Sequence, residues 1–184
     1  MLDRVREAMF STLGQGIEGC YALDLFAGSG SLGLESLSRG AAYARFVEDN
    51  PHVVKIINGN VEELGLEAKA HVLNASAIAP NSWAPPKGEA ARWADVIFFD
   101  PPYPWLRDDR RNSVFEAANA LAKNVLRPGG LLVFHTPKRG ADSHEFDALL
   151  EPDKRNYGSS ALWYLRGPEE DGAEEAEPEP ETQA

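Results

Sequence analysis

Residues 28–33 read Gly-Ser-Gly-Ser-Leu-Gly, and their setting constrains the fold more than any other feature of this 184-residue sequence. The turn follows a short apolar run at 21–26 and leads into a segment at 31–39 with helical spacing, closed by Gly40. Strand, glycine turn and helix in that order open a parallel α/β unit, because glycine allows both the tight turn and close helix–strand packing. Further apolar runs at 43–47, 70–73, 96–99 and 131–135 predict strands, with helices at 51–64 and 114–126 between them. Asp3 can cap a helix over 3–13, where Val5, Met9, Phe10 and Leu13 share a face. A short helix is predicted at 143–150, and the segments 154–157 and 161–165, joined through Gly158-Ser159-Ser160, predict a closing antiparallel hairpin. Arg127-Pro128-Gly129-Gly130 reads as a turn, and 79–92, rich in Pro, Asn, Ser and Gly, as a mobile loop. The alternation implies an α/β fold, an open and mostly parallel doubly wound sheet covered on both faces.

Eight of the 29 acidic residues lie in 168–184, which holds no base, so residues 1–167 carry 18 bases against 21 acids. One domain over 1–167 and a disordered acidic tail over 168–184 are expected. A hydrophobic content of 43% is enough for an ordinary core and excludes a globally disordered chain. Cys20 is the only cysteine, which excludes an intramolecular disulfide framework and a multi-cysteine zinc site; no metal is expected. The sequence contains no stretch near 18 apolar residues, and it opens on the charged run Asp3, Arg4, Arg6, Glu7 instead of a leader. A cytoplasmic protein with no membrane partner is expected. The charge balance gives no overall basic excess of the kind nucleic-acid binding usually shows, so contact with a polyanion would rest on local Arg and Lys residues.

In a doubly wound sheet, ligands bind beyond the carboxyl ends of the strands, where strand order reverses. Those ends carry residues 24–30, Glu48-Asp49, Asn74-Ala75, residues 100–103 and His135. The glycine turn, with Glu48 and Asp49 about 20 residues further on, is the pattern that holds a nucleoside-containing cofactor: glycine backbone approaches the ligand and the acid accepts from the ribose hydroxyls. Dinucleotides and S-adenosyl-L-methionine share this geometry. Asp24, just ahead of the turn, would repel a pyrophosphate and attract a methionine ammonium, which favours the methyl donor. Its plain structural alternative is a helix cap or a hydrogen bond to the loop.

Asp100-Pro101-Pro102-Tyr103 ends the predicted fourth strand. Two prolines fix φ and remove two donors, leaving a stiff corner that presents carbonyls and a carboxylate as acceptors, which suits an exocyclic amine. Tyr103 offers a face for stacking a flat base, a contact worth about 1–3 kcal/mol in nucleic-acid complexes.

This corner resembles the Asp/Asn-Pro-Pro-Tyr/Phe motif of methyltransferases that act on exocyclic amino nitrogens of nucleic-acid bases. More narrowly, Asp3-Arg4-Val5-Arg6-Glu7-Ala8-Met9-Phe10, the stretch 23–35 (Leu-Asp-Leu-Phe-Ala-Gly-Ser-Gly-Ser-Leu-Gly-Leu-Glu) and Ser38-Arg39-Gly40-Ala41 resemble the bacterial small-subunit (16S) ribosomal RNA guanine-N2 methyltransferase family. The resemblance spans about residues 2–166. It implies a class I, Rossmann-like methyltransferase fold of seven strands with the last antiparallel. It also implies S-adenosyl-L-methionine as cofactor and ribosomal RNA, or the assembling small subunit, as partner; a monomer is expected, although nothing in the sequence fixes the oligomeric state. By position, Asp24, Phe26, Ala27, Gly28, Ser29 and Gly30 would cradle the methionine and ribose, Glu48 and Asp49 would hold the ribose hydroxyls, and Asn74 and Ala75 would border the adenine. Asp100 and the Pro101 carbonyl would accept from the guanine amine while Tyr103 stacks on the base.

In the family a basic segment normally precedes the position of Asp3, whereas this sequence begins Met1-Leu2; either the sequence is truncated there, or RNA docking rests on Arg4 and Arg6, with Arg39, Lys138, Arg139 and Arg155 as further contacts. His135-Thr136-Pro137-Lys138 stands where the family often has an acidic stretch. His135 reads as hydrogen-bonded structure at a strand end and not as a general base. Trp163 reads as packing, and Trp105, beside Tyr103, is placed for substrate. Arg107, Arg110 and Arg111, interleaved with Asp108 and Asp109, read as a solvated loop face. Three other functions stay open: an adenine-N6 methyltransferase on DNA or RNA, a nicotinamide oxidoreductase, and a non-catalytic scaffold.

Overall fold

Strands whose residues alternate between two buried faces dominate the centre of the structure, a computed structural model that describes residues 3–168. The strands are β1 (Tyr21–Leu25), β2 (Tyr43–Glu48), β3 (Ala70–Asn74), β4 (Ala94–Phe99), β5 (Leu126–Pro137), β6 (Asp153–Tyr157) and β7 (Ser160–Arg166). They form one sheet in the order β3-β2-β1-β4-β5-β7-β6, with β1 to β5 parallel and β7 antiparallel to both of its neighbours. Leu23, Leu25, Ile97, Phe99, Leu132, Phe134, Trp163 and Leu165 point to one face, and Ala22, Val96, Phe98, Val133, Leu162 and Tyr164 to the other. Both sets are buried, so the strands read as near-continuous apolar runs.

Three helices, α1 (Asp3–Leu13), α2 (Ser31–Ser38) and α3 (Pro51–Glu63), cover the second face through Val5, Met9, Phe10, Leu32, Leu37, Ile57 and Val61. Asn50 starts α3 by accepting from the His52 amide (3.0 Å) ahead of Pro51. A single helix, α4 (Arg111–Asn124), lies on the first face with Val114, Phe115, Ala118 and Leu121 inward. One helix cannot cover that face alone, and the segment at 79–93 completes it. Trp83 and Trp93 are buried there; the Trp83 indole donates to the Ala77 carbonyl (2.8 Å) and the Trp93 indole to the Trp83 carbonyl (2.9 Å). The loop predicted to be mobile is therefore anchored along its length, with a short 3-10 turn at Pro80–Trp83.

Three further differences have local causes. The Arg-Pro-Gly-Gly run lies inside β5 as a bulge: Ala94 pairs with Leu126 and Val96 with Leu131, so a step of five residues along β5 matches a step of two along β4, and Pro128 sits where no ladder amide is required. α4 begins at Arg111, three residues before the predicted start, because Arg111 is held at the helix entrance by the Leu106 carbonyl, the Gly140 carbonyl (3.1 Å) and Glu145 (2.7 Å). The helix predicted over 143–150 is two 3-10 turns, Ser143–Glu145 and Ala148–Leu150, capped separately by Asp142 and Asp147. The acidic segment expected to be disordered falls, from residue 169 on, outside the described residues. No helix among the described residues is long and apolar enough to cross a membrane.

Gly33 fixes the seat of α2. A Cβ at this position would stand 2.3 Å from Cε1 and 2.7 Å from Cζ of Phe46, a ring that is itself fully buried. Gly33→Ala is expected to destabilise the protein by about 1–3 kcal/mol through overpacking. An unchanged urea midpoint would refute that packing role.

Candidate active site

Strand order reverses between β1 and β4, and the cleft opens beyond the carboxyl ends of those strands. It has a volume of about 570 Å³, in the range of small-molecule sites, and is lined by Phe26, Glu48, Asp49, residues 100–103, Trp105, His135, Ser159 and Ser160. The end of β2 and the end of β4 thus open into one cavity. The charged residues that line it are Glu48, Asp49 and Asp100, with no Lys or Arg among them.

On one side the chain leaves β1 through Phe26, which adopts φ +59°, a left-handed conformation that is uncommon for a bulky residue and costs on the order of 1–3 kcal/mol. Packing supports it. The Phe26 ring meets Phe99 (5.3 Å) and Trp105 (5.4 Å) edge to face. Two residues on, Gly28 has φ +54° and nothing within 4 Å of where a Cβ would stand, so its backbone is open to close approach. Glu48 braces this turn, its Oε2 accepting from the Gly28 amide and its Oε1 from the Asn50 amide (both 3.0 Å). Asn74 donates to the carbonyls of Glu48 (3.0 Å) and Asp49 (2.9 Å), and the Ala75 amide donates to Glu48 O (3.1 Å). Asn60 donates to the Ser29 carbonyl (3.2 Å), and the Ala27 carbonyl accepts from Gly30 (2.8 Å).

Asp24 does not line the cleft. It is 2% exposed, and its Oδ2 accepts from the amide of Gly33 (2.9 Å) in the first turn of α2, one of the four amides a helix leaves without an internal partner. Its placement is the cap that the sequence offered as the alternative to an ammonium contact. Burial, less the help of that amide, and the nearby carboxylates of Asp100 and Glu48 push Asp24 up to about 8.

On the opposite side, β4 runs into the Pro-Pro corner. Pro101 is buried, Pro102 O accepts from Trp105 (2.9 Å), and the Pro101 carbonyl accepts no hydrogen bond among the described residues. Asp100 Oδ1 is 2.7 Å from Nδ1 of His135, while Oδ2 has no hydrogen-bond partner among the described residues. Tyr103 is 40% exposed, so its ring remains accessible while its hydroxyl is held.

The structure therefore brings Phe26, Glu48, Asp49, Asp100, Pro101 and Tyr103 to one cleft, with Ala27, Gly28, Ser29 and Gly30 forming the turn beside it and Asn74 and Ala75 behind the Glu48–Asp49 bend. Arg4 and Arg6 stand apart: Arg4 is exposed on α1, and Arg6 pairs with Asp3 (3.0 Å) and borders a separate groove with Ser31, Leu34 and Glu35. Arg110 pairs with Asp108 and stacks over Trp105 (4.4 Å), and Arg111 is spent on the entrance of α4. Ser159 and Ser160 were not foreseen. The available signal was the hairpin itself, since a strand that starts at 160 and runs antiparallel must begin at the sheet's carboxyl end.

The family described as Conserved hypothetical protein 95 matches residues 1–166. The chain is 38% identical over 122 residues to Ribosomal RNA small subunit methyltransferase D of Escherichia coli, covering 66% of this chain and 55% of that protein. It is 40% identical to the uncharacterized methylase RP545 of Rickettsia prowazekii over 89% of this chain and 86% of that protein. It spans about half the length of the Bacillus subtilis and Escherichia coli relatives it matches. Among solved structures, the Thermus thermophilus 16S rRNA N2 G1207 methyltransferase RsmC, in complex with AdoMet and guanosine, aligns with a TM-score of 0.69 at 23% identity over 90% of this chain and 43% of that one. That likeness is one of fold: the expected seven-stranded class I methyltransferase sheet, with its last strand antiparallel, is the sheet observed.

Proposed function

The chain belongs to the Conserved hypothetical protein 95 family, and from that premise we propose that it is an S-adenosylmethionine-dependent methyltransferase acting on the N2 amine of a guanine in small-subunit ribosomal RNA. One observation carries the proposal: the acceptor corner at 100–103 and the glycine-turn side of the sheet border the same cleft, whose charged lining is acidic. Such a lining repels a pyrophosphate and attracts a cation, which disfavours the nicotinamide oxidoreductase.

The residues present fit this cofactor. Gly28 leaves open space beside the turn, Glu48 stands at the end of β2 with lone pairs beyond its two backbone bonds, and burial first, with the carboxylates of Asp100 and Glu48 adding to it, raises the proton affinity of Asp24. Any cation in the cleft relieves that crowding. When bound, S-adenosylmethionine would supply a methyl group on a positively charged sulfur, open to in-line attack by an amine, with the electrons of the broken carbon–sulfur bond leaving on S-adenosylhomocysteine. Asp100 Oδ2 and the Pro101 carbonyl accept from the two amino hydrogens and turn the nitrogen lone pair toward the methyl group. Tyr103 stacks on the base and fixes its plane. Orientation supplies much of the rate, and the methylated amine can lose its proton after attack. A base in a duplex would first have to be unstacked.

Nucleoside mass spectrometry of ribosomal RNA from cells lacking this protein tests the proposal, with purified full chain, S-adenosylmethionine and either naked 16S RNA or immature small subunits as the companion assay. Loss of N2-methylguanosine from one site, restored by the purified chain, is expected. Unchanged N2-methylguanosine with lost N6-methyladenine would transfer the assignment to the adenine enzyme, and absence of any transfer would favour the scaffold.

A further inference from the structure

The partly buried hydrogen bonds behind the acceptor corner form a line that the motif alone does not contain. Asp100 Oδ1 lies 2.7 Å from His135 Nδ1, His135 Nε2 lies 3.2 Å from the Tyr103 hydroxyl, and that hydroxyl lies 3.4 Å from Ser160 Oγ. His135 is 3% exposed, near the end of β5, and Ser160 opens β7. Its imidazole therefore touches both ends of the four-residue corner. An ionised carboxylate only accepts, so Nδ1 carries the proton; a neutral imidazole then has a bare Nε2, which accepts from the Tyr103 hydroxyl, and Ser160 donates to the Tyr103 oxygen. The donors and acceptors along the line are matched in one direction.

We propose that His135 is a positioning residue for methyl transfer: it occupies Asp100 Oδ1 so that Oδ2 is the oxygen left for the incoming amine, and it holds the Tyr103 hydroxyl so that the ring lies at a fixed offset from that carboxylate. This rests on the methyltransferase function proposed above. Without the imidazole, Asp100 rotates about its side-chain bonds and Tyr103 swings about a free hydroxyl end, and a misplacement near 1 Å at a reacting group costs about 10²-fold in rate. The loss falls on turnover and not on donor binding, because no hydrogen bond among the described residues joins the line to the glycine turn or to Glu48.

The test compares His135→Leu, His135→Asn and Tyr103→Phe in the full chain, with kcat and KM for RNA methylation, donor binding by calorimetry and thermal midpoints. His135→Leu is expected to lower kcat about 10- to 100-fold with donor affinity within about twofold, while His135→Asn, whose amide nitrogen can still donate to Asp100, recovers most of that loss; Tyr103→Phe should cost only a few-fold. Wild-type kcat in His135→Leu, or equal losses in the Leu and Asn variants that follow thermal stability alone, would overturn the proposal. Imidazole ¹⁵N spectra of the wild type, taken where the ring is neutral, give an arm independent of activity: a proton on Nδ1 and a bare Nε2 are expected, and the opposite tautomer would overturn it. If the wild type methylates no RNA while this tautomer is found, the function proposed above fails and the hydrogen-bonded line stands.

Discussion

Asp100→Ala is expected to lower methyl transfer by about 10²- to 10³-fold, the loss seen when a single preorganised hydrogen-bonding group is removed from a reacting centre. Donor affinity is expected to stay within a few-fold, since Asp100 reaches the glycine turn only through its field. The carboxylate has two jobs: Oδ1 is engaged by His135, and Oδ2 is the only side-chain oxygen of the corner free to accept from an amine. Alanine removes that acceptor and leaves the His135 Nδ1–H without a partner in a buried setting. The Pro101 carbonyl remains and can hold one amino hydrogen, so a residual rate should persist. Single-turnover transfer from labelled S-adenosylmethionine, beside calorimetry with the same ligand, separates the two quantities. Turnover within a few-fold of wild type would remove Asp100 from the reaction.

The order of strands and helices was legible because each buried strand is a short apolar run and each turn is marked by Gly or Pro. The acceptor corner was legible for the same reason, since Asp100-Pro101-Pro102-Tyr103 ends such a run. Signals were misread where long-range packing overrides local chemistry. Pro-Gly-Gly at 128–130 has the composition of a turn, yet the bulge opposite Ala94 and Val96 absorbs it within a strand. The loop at 79–92 has the composition of a mobile segment, yet two indoles commit it to a face that one helix leaves uncovered. The far wall of the cleft was hardest to read. His135 meets Asp100 and Tyr103 across 35 and 32 residues, and Ser160 meets Tyr103 across 57; the register of β4 with β5, Phe99 opposite Phe134, sets His135 beside the corner, and that of β5 with β7, Pro137 opposite Ser160, adds the serine. The histidine was correctly read as hydrogen-bonded structure, but its partners turn out to be the two ends of the acceptor corner.

Asp24 is the other large effect, and it appears as a dependence on pH. Its ordinary value of 3.8 is raised to about 8 in the folded protein, so between those limits the native state holds a proton that the unfolded chain has released. The stability this proton confers is whole below about pH 4, declines as pH rises and is gone above about pH 8, a span worth on the order of several kcal/mol for a group so fully buried. Asp24→Asn resembles the protonated form and still offers an oxygen to the Gly33 amide. It should flatten the profile and exceed wild type in stability at pH 8, whereas Asp24→Ala, equally free of the titrating carboxyl, leaves that amide unpartnered and should fall about 1–3 kcal/mol below Asp24→Asn at any pH. The same proton couples to the donor. A cation placed near Asp24, Glu48 and Asp100 favours the ionised carboxyl, so S-adenosylmethionine binding at pH 7 should release a proton and tighten as pH climbs toward 8. Calorimetry in two buffers of different ionisation enthalpy counts that proton, and S-adenosylhomocysteine, which lacks the positive sulfur, should release less. No proton release on binding, or an Asp24→Asn variant with an unaltered stability profile, would mean that Asp24 is already ionised in the free protein and that the acidic cluster is not what selects the cation.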